Sequence, residues 1–117
     1  EPTLSALYES ASVLAYPSLY EGFGLPLLEA MSRGVPAVVG SSGALPELGG
    51  KAVIAVEAQD PTVIAEALER LLADPELRRK LGQEGKLRAS GYTWEEVASR
   101  THAVLRRVAD VAHRKVA

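Results

Sequence analysis

Two glutamates, Glu21 and Glu29, stand eight positions apart across a glycine-containing bend, in the run Glu21-Gly22-Phe23-Gly24-Leu25-Pro26-Leu27-Leu28-Glu29. An ionised carboxylate is a hydrogen-bond acceptor with about four lone-pair sites, so two of them in one place can grip the hydroxyl groups of a sugar or a ribose. The same pair could divide into acid and base, as in glycoside hydrolysis. The first use needs position only. The second needs one carboxyl held protonated, and nothing in the residue pattern supplies that. A plainer alternative has Glu21 capping its own loop and Glu29 riding on the solvent side of a helix. Gly22 and Gly24 let a ligand approach the backbone with no side chain between. The free amides at the start of the following helix favour an anion or a hydroxyl-bearing group.

Such a bend is positioned by the strand before it and the helix after it. Val13, Leu14, Ala15 and Tyr16 predict a short buried strand that Pro17 ends. The bend then leaves the carboxyl end of a strand, where ligand crevices form in open α/β sheets. Leu25 opens a helix predicted over 25–33, with Gly34 as its left-handed C-cap and Pro36 as its stop. That helix is apolar nearly all round, which predicts burial and leaves Glu29 either at an opening or satisfied by a partner.

The rest of the chain reads as a frame. Leu4, Leu7, Tyr8 and Ala11 predict a short helix over 3–11. A second strand over 37–40 opens into the Ser41-Ser42-Gly43 loop, whose ordinary reading is a strand-to-helix turn. Pro46-Glu47 starts a single helical turn closed by Gly49-Gly50. A third strand over 52–56, apolar on both faces, fits a parallel sheet covered by helices. Asp60-Pro61 and Asp74-Pro75 each place an N-cap residue before a proline at the first helical position, opening helices to about 73 and 89. Thr93-Trp94-Glu95-Glu96 is a capping box for a long last helix. Its stripe of Val97, Thr101, Val104, Val108 and Val111 predicts packing along the domain, with Trp94 as an anchor at its start. The end of that helix, with His113, Arg114 and Lys115, is expected to fray.

These elements define an α/β chain of one domain with a three-stranded parallel sheet, flanking helices and a long C-terminal helix. At 117 residues and 47% apolar, it can bury a core but is short for a doubly wound enzyme domain. The absence of cysteine excludes disulfides and thiol chemistry. No 18-residue apolar run and no signal peptide are visible, so a cytoplasmic location is expected. Residues 1–60 carry net −5 and residues 61–117 net +3. That mild basic bias lacks the density and interleaved aromatics of a nucleic-acid groove, and no nucleic-acid partner is expected. His102 and His113 are eleven apart, which is not a metal-pair spacing, so no metal is predicted. Ser41 and Ser42 have no histidine signal that would make a hydrolase. Tyr20 and Phe23 flank the bend as a lid or as its support.

The run Pro17-Ser18-Leu19-Tyr20-Glu21-Gly22-Phe23-Gly24-Leu25-Pro26-Leu27-Leu28-Glu29-Ala30-Met31, followed by Gly34-Val35-Pro36, resembles the C-terminal domain of family 4 retaining glycosyltransferases. This is the glycosyl transferases group 1 domain of the GT-B fold. The similarity continues through Ser42-Gly43-Ala44-Leu45-Pro46-Glu47, the third strand, the Asp74-Pro75 helix and Tyr92-Thr93-Trp94. It implies that residues 1–117 are part of a nucleotide-sugar (donor) binding domain, with the acceptor domain absent. By position, Glu21 would contact hydroxyls of the transferred sugar and carry the catalytic role, and Glu29 would accept from the ribose. The backbone at Gly22, Phe23 and Gly24 would meet the sugar, Leu25 the diphosphate, and the loop at Ser42 and Gly43 the same pocket. A nucleotide diphosphate sugar is the implied donor substrate, with no separate cofactor.

The family also has an Arg/Lys pair at the diphosphate, upstream in the same domain. Arg33 and Lys51, the basic residues of the first 60, occupy neither position. The three strands correspond to the 4-5-6 half of the order 3-2-1-4-5-6. The isolated chain is therefore expected to be inactive, either part of a retaining transferase or a non-catalytic nucleotide-sugar module. The acceptor, a saccharide or lipid, would dock on the missing domain, and any membrane-peripheral association would come through the parent protein. The strand Val13, Leu14, Ala15, Tyr16 would form an exposed edge suited to self-association.

Overall fold

A computed structural model of the chain describes residues 2–116. Helix α1 (Pro2–Ser10) leads into strand β1 (Leu14–Tyr16), helix α2 (Leu25–Ser32) and strand β2 (Ala37–Gly40). Helix α3 (Leu45–Gly49) and a 3-10 turn (Gly50–Ala52) precede strand β3 (Val53–Val56). Three helices complete the chain: α4 (Pro61–Ala73), α5 (Pro75–Ala89) and α6 (Trp94–Val116). The strands form one parallel sheet in the order β1-β2-β3, with Leu14 opposite Ala37 and Ala37 opposite Val53.

The central strand explains the layering. Side chains alternate across a strand, so β2 must be apolar on both faces if both are covered. Ala37 and Val39 enter one core with Leu27 and Met31 of α2, Leu45 and Leu48 of α3, and Ala89 of α5. Val38 enters the opposite core with Ala67 and Leu71 of α4 and Leu81 of α5. Leu27, Met31, Leu45 and Leu71 are fully buried. Each such side chain contributes about 1.5–3 kcal/mol relative to exposure.

Local chemistry sets the helix ends. Asp60 accepts from the amides of Thr62 and Val63, and Asp74 accepts from Leu77 N. Arg78 closes the other end of α4 by donating to the carbonyls of Leu71 and Leu72, each at 2.7 Å. Arg88 of α5 does the same for α3, donating to Leu48 O at 2.5 Å and Glu47 O at 2.6 Å. Gly34, with φ +75°, ends α2 by donating to Met31 O, and Val35 reaches back to Ala30 O. Only glycine takes that left-handed conformation without steric cost.

Five expectations are corrected. Helix α2 is not buried all round: Leu27, Ala30 and Met31 face the core, while Leu25 and Ser32 are exposed and Leu28 and Glu29 half-buried. Eight residues packed along one i, i+3, i+4 stripe leave the opposite side open. The last helix does not pack along the domain either, and it has no buried residue. It continues as helix through His113, Arg114 and Lys115 to Val116, with no frayed end among the described residues. The molecule extends 65 Å along its long axis. Trp94 is 82% exposed and so is not a packing anchor at the start of the helix. The capping box is half formed: Thr93 Oγ1 accepts from Glu96 N, but the Glu96 carboxylate accepts from Arg100 instead of returning to the cap.

Candidate functional site

The bend is built by a tight turn at its entry. Ser18 N donates to Tyr16 O, which makes a three-residue turn centred on Pro17. Proline's fixed φ suits that geometry. The turn folds the chain back so that two hydroxyls meet one carboxylate oxygen. Tyr16 Oη donates to Glu21 Oε1 at 2.6 Å, and Ser18 Oγ donates to the same oxygen at 3.1 Å. The hydrogen bond to Glu21 is the largest influence on the Tyr16 phenol and raises its pKa above the ordinary 10. Partial burial and the Glu21 charge act in the same direction, and the neighbouring Ser18 hydroxyl opposes them in part.

Glu21 is also tied to the loop after β2. Ala44 N donates to Glu21 O at 3.2 Å, and a Cβ on Gly43 would stand 3.2 Å from Glu21 N. A Cβ on Gly40 would fall 2.1 Å from Ser18 O, so the ends of β1 and β2 sit against each other with no room for a side chain. The structure thus brings the Ser42 and Gly43 loop to Glu21, at the carboxyl ends of two adjacent parallel strands. Ser41, Ser42 and Gly43 are exposed there.

At the exit, Gly24 is the N-cap of α2, with φ +95° and ψ 53°. Its own carbonyl accepts from Leu27 N and Leu28 N. No side chain caps this helix. An added Cβ at Gly24 would stand 2.4 Å from Leu45 Cδ2, so the bend approaches α3 closely at this point. Gly22 has open space around it. Phe23 packs edge-to-face on Tyr92, with centroids 6.2 Å apart and planes at 70°. Of the two aromatics flanking the bend, Phe23 supports it, whereas Tyr20 is 79% exposed.

Glu29 lies one turn into α2 on the open side. It lines a largely apolar hollow of about 600 Å³ together with Phe23, Leu25, Leu28, Tyr92 and Trp94. Glu21 is not in that hollow, so the two carboxylates do not share one cavity. Each carboxylate bears on a different tyrosine, Glu21 on Tyr16 and Glu29 on Tyr8. The Tyr8 phenol is pushed up by burial first and by the Glu29 charge second, with Arg33 opposing, and Tyr8 also bears weakly on Tyr16. The spacing alone did not show these partners. Ser18 three residues before Glu21 was a usable signal, but Tyr16 reaches it only because of the turn at Pro17.

Arg33, the basic side chain nearest the bend in sequence, is engaged. The Arg33 guanidinium lies 5.4 Å over the Tyr8 ring and donates to Ser5 Oγ and Glu29 O. Lys51 lines a separate depression with Gly50, Glu84 and Leu87. His102 and His113 lie on the exposed α6. Among the described residues, no three His, Cys, Asp or Glu side chains converge as metal ligands. No helix among them is long and apolar enough to cross a membrane.

Comparison with known proteins decides the family. The model for "Glycosyl transferases group 1" matches residues 1–88. The chain belongs to the glycosyl transferases group 1 family. It is 44% identical over 105 residues to an MMP alpha-(1->4)-mannosyltransferase of Mycolicibacterium hassiacum, covering 86% of this chain and 26% of that protein. It is 39% identical over 98 residues to the O-antigen chain mannosyltransferase B of Escherichia coli, covering 84% and 26%. Among solved structures it superposes on a sucrose-phosphate synthase from Thermosynechococcus elongatus with TM-score 0.84 and 33% identity, covering 93% of this chain and 28% of that one. This group 1 domain therefore has the GT-B-like Rossmann fold, and it spans about a quarter of the length of the curated relatives it matches.

Proposed function

We propose that residues 1–117 form the donor-binding part of a retaining glycosyltransferase. The parent protein moves a sugar from a nucleotide diphosphate sugar to an acceptor hydroxyl, with retention at the anomeric carbon. The observation that carries this reading is the bend itself: Glu21, the Gly43 loop and the uncapped start of α2 meet at the carboxyl ends of β1 and β2. That is where an open α/β sheet binds its ligand.

In this reading Glu21 accepts from hydroxyls of the transferred sugar and is the catalytic carboxylate. The backbone at Gly22, Phe23 and Gly24 follows the sugar. The amides at Leu25 and its neighbours take the diphosphate, as helix-start N–H groups favour anions. Glu29 accepts from the ribose, and Ser42 and Gly43 border the same pocket. The relatives named above as mannosyltransferases support a sugar-transfer role for the parent. The acceptor, a saccharide or lipid, docks on a domain outside this chain, and the donor needs no metal here.

A non-catalytic nucleotide-sugar module is the second reading; Arg33, engaged by Tyr8, Ser5 and the Glu29 carbonyl, does not stand in for the family's Arg/Lys pair. Under either reading the isolated chain is inactive as a transferase.

The test is calorimetric titration of UDP, GDP and ADP against the full-length protein and its Glu29→Ala variant. Loss of charge-assisted bonds of about 1.5–3 kcal/mol each predicts at least a roughly tenfold weaker nucleotide. Equal affinity of both forms, or no binding of any nucleotide by the wild type, defeats the ribose role.

A further inference from the structure

We propose that Tyr16 and Ser18 are positioning residues for Glu21, which set which of its oxygens meets the donor sugar. This rests on the donor-site reading above. Both hydroxyls donate to Oε1, at 2.6 Å and 3.1 Å, and no protein donor reaches Oε2 among the described residues. A carboxylate held through one oxygen keeps its plane fixed and presents the other oxygen as its free acceptor. The clamp sits on rigid elements. Tyr16 is the last residue of β1, paired in register with Val39, and its ring packs against the core beneath the bend. Ser18 is fixed by the turn at Pro17 and by its close contact with Gly40. Glu21 is anchored from the far side by the bond from Ala44 N to its own carbonyl.

The clamp leaves Glu21 with little freedom to lose on binding. Ordering a long polar side chain at an interface otherwise costs affinity. Tyr16 and Ser18 therefore act only on the sugar part of the donor. The nucleotide part, gripped near α2 and Glu29, does not sense them. Removing both hydroxyls adds nothing once the Glu21 carboxylate itself is gone.

The experiment compares UDP, GDP and ADP with UDP-glucose, GDP-mannose and ADP-glucose by calorimetry, in the full-length protein and its Tyr16→Phe, Ser18→Ala and Glu21→Ala variants. Phenylalanine keeps the ring that packs under the bend, so Tyr16→Phe preserves the fold, which a thermal melt verifies. The expected result is a loss of about three- to tenfold in sugar-nucleotide affinity with Tyr16→Phe, while the bare nucleotide is unchanged. Ser18→Ala gives a smaller loss in the same direction. Adding Tyr16→Phe to Glu21→Ala has no further effect.

If sugar nucleotides bind and Glu21→Ala weakens them but Tyr16→Phe does not, the positioning role is overturned and the donor site stands. If no sugar nucleotide binds the wild type, the donor-site reading and the positioning role fall together. A readout without ligand separates the contact from its use. In a spectroscopic titration of the tyrosines of the full-length protein, the transition missing from Tyr16→Phe must move to lower pH in Glu21→Gln. An unmoved transition overturns the clamp.

Discussion

At the residue scale, one oxygen of Glu21 holds two hydroxyls, and the bond from Tyr16 has a pH signature. It favours the neutral phenol, so the folded-state pKa of Tyr16 lies above the unfolded value of 10. A group with a raised folded pKa stabilises the fold fully below its unfolded pKa and loses that contribution as pH rises through the folded one. The wild type should therefore lose urea resistance above about pH 10 more steeply than Tyr16→Phe, which has no phenol to ionise. Parallel curves for the two proteins would contradict the contact. Gly24 gives a second prediction at this scale. Alanine there meets both a left-handed backbone and the Leu45 side chain. The strain alone costs about 1–3 kcal/mol, so Gly24→Ala should lower the urea midpoint and disturb the bend that carries Phe23. Gly22→Ala, which meets nothing, serves as the control for that measurement.

At the element scale, the long last helix contributes no buried side chain to the body. Its removal should barely affect the rest. Truncation after Arg100 is expected to shift the melting temperature by less than about 4 °C, the shift that roughly 1 kcal/mol produces in a domain of this size. A large drop would show that α6 packs on the body. This helix also shows where sequence reading stops. The stripe of Val97, Val104, Val108 and Val111 revealed that a face exists, because periodicity is local. It did not reveal that the domain leaves the face uncovered, because that depends on the turn at Gly91 and on what lies beside it. Starts governed by adjacent residues were legible: Asp60-Pro61 and Asp74-Pro75 gave both helices their observed limits. So was the parallel sheet, from apolar strands separated by helix signals. The burial of α2 was overread because a helix rich in leucine looked buried all round, when eight residues need only one covered stripe; Glu29 stands at an opening, one of the two places expected for it. The two carboxylates were legible one by one, at the entry of the bend and in the helix after it, but the hollow that holds Glu29 without Glu21 and the Tyr16 bond were not, since that bond spans a turn whose geometry no periodicity encodes.

At the scale of the whole molecule, among the described residues no further strand pairs on the outer side of β1. Leu14 N donates inward to Pro36 O. Hydrogen-bonding groups alternate along a strand, so Ala15 directs its N–H and C=O to the outer edge, where it is exposed. An unpaired edge that short still templates pairing with another strand. The chain by itself is therefore proposed to self-associate through residues 13–16. Ala15→Pro tests this with little disturbance to the β1–β2 ladder, because proline on an edge removes only the outward donor. Sedimentation of the isolated chain should show concentration-dependent association that Ala15→Pro reduces while circular dichroism stays unchanged. Association that persists in Ala15→Pro but vanishes when α6 is truncated would assign the contact to the exposed valine stripe instead. A wild type that stays monomeric at every concentration would mean that the edge is protected by its own brevity. The self-association proposal would then fail, with the donor-site reading untouched.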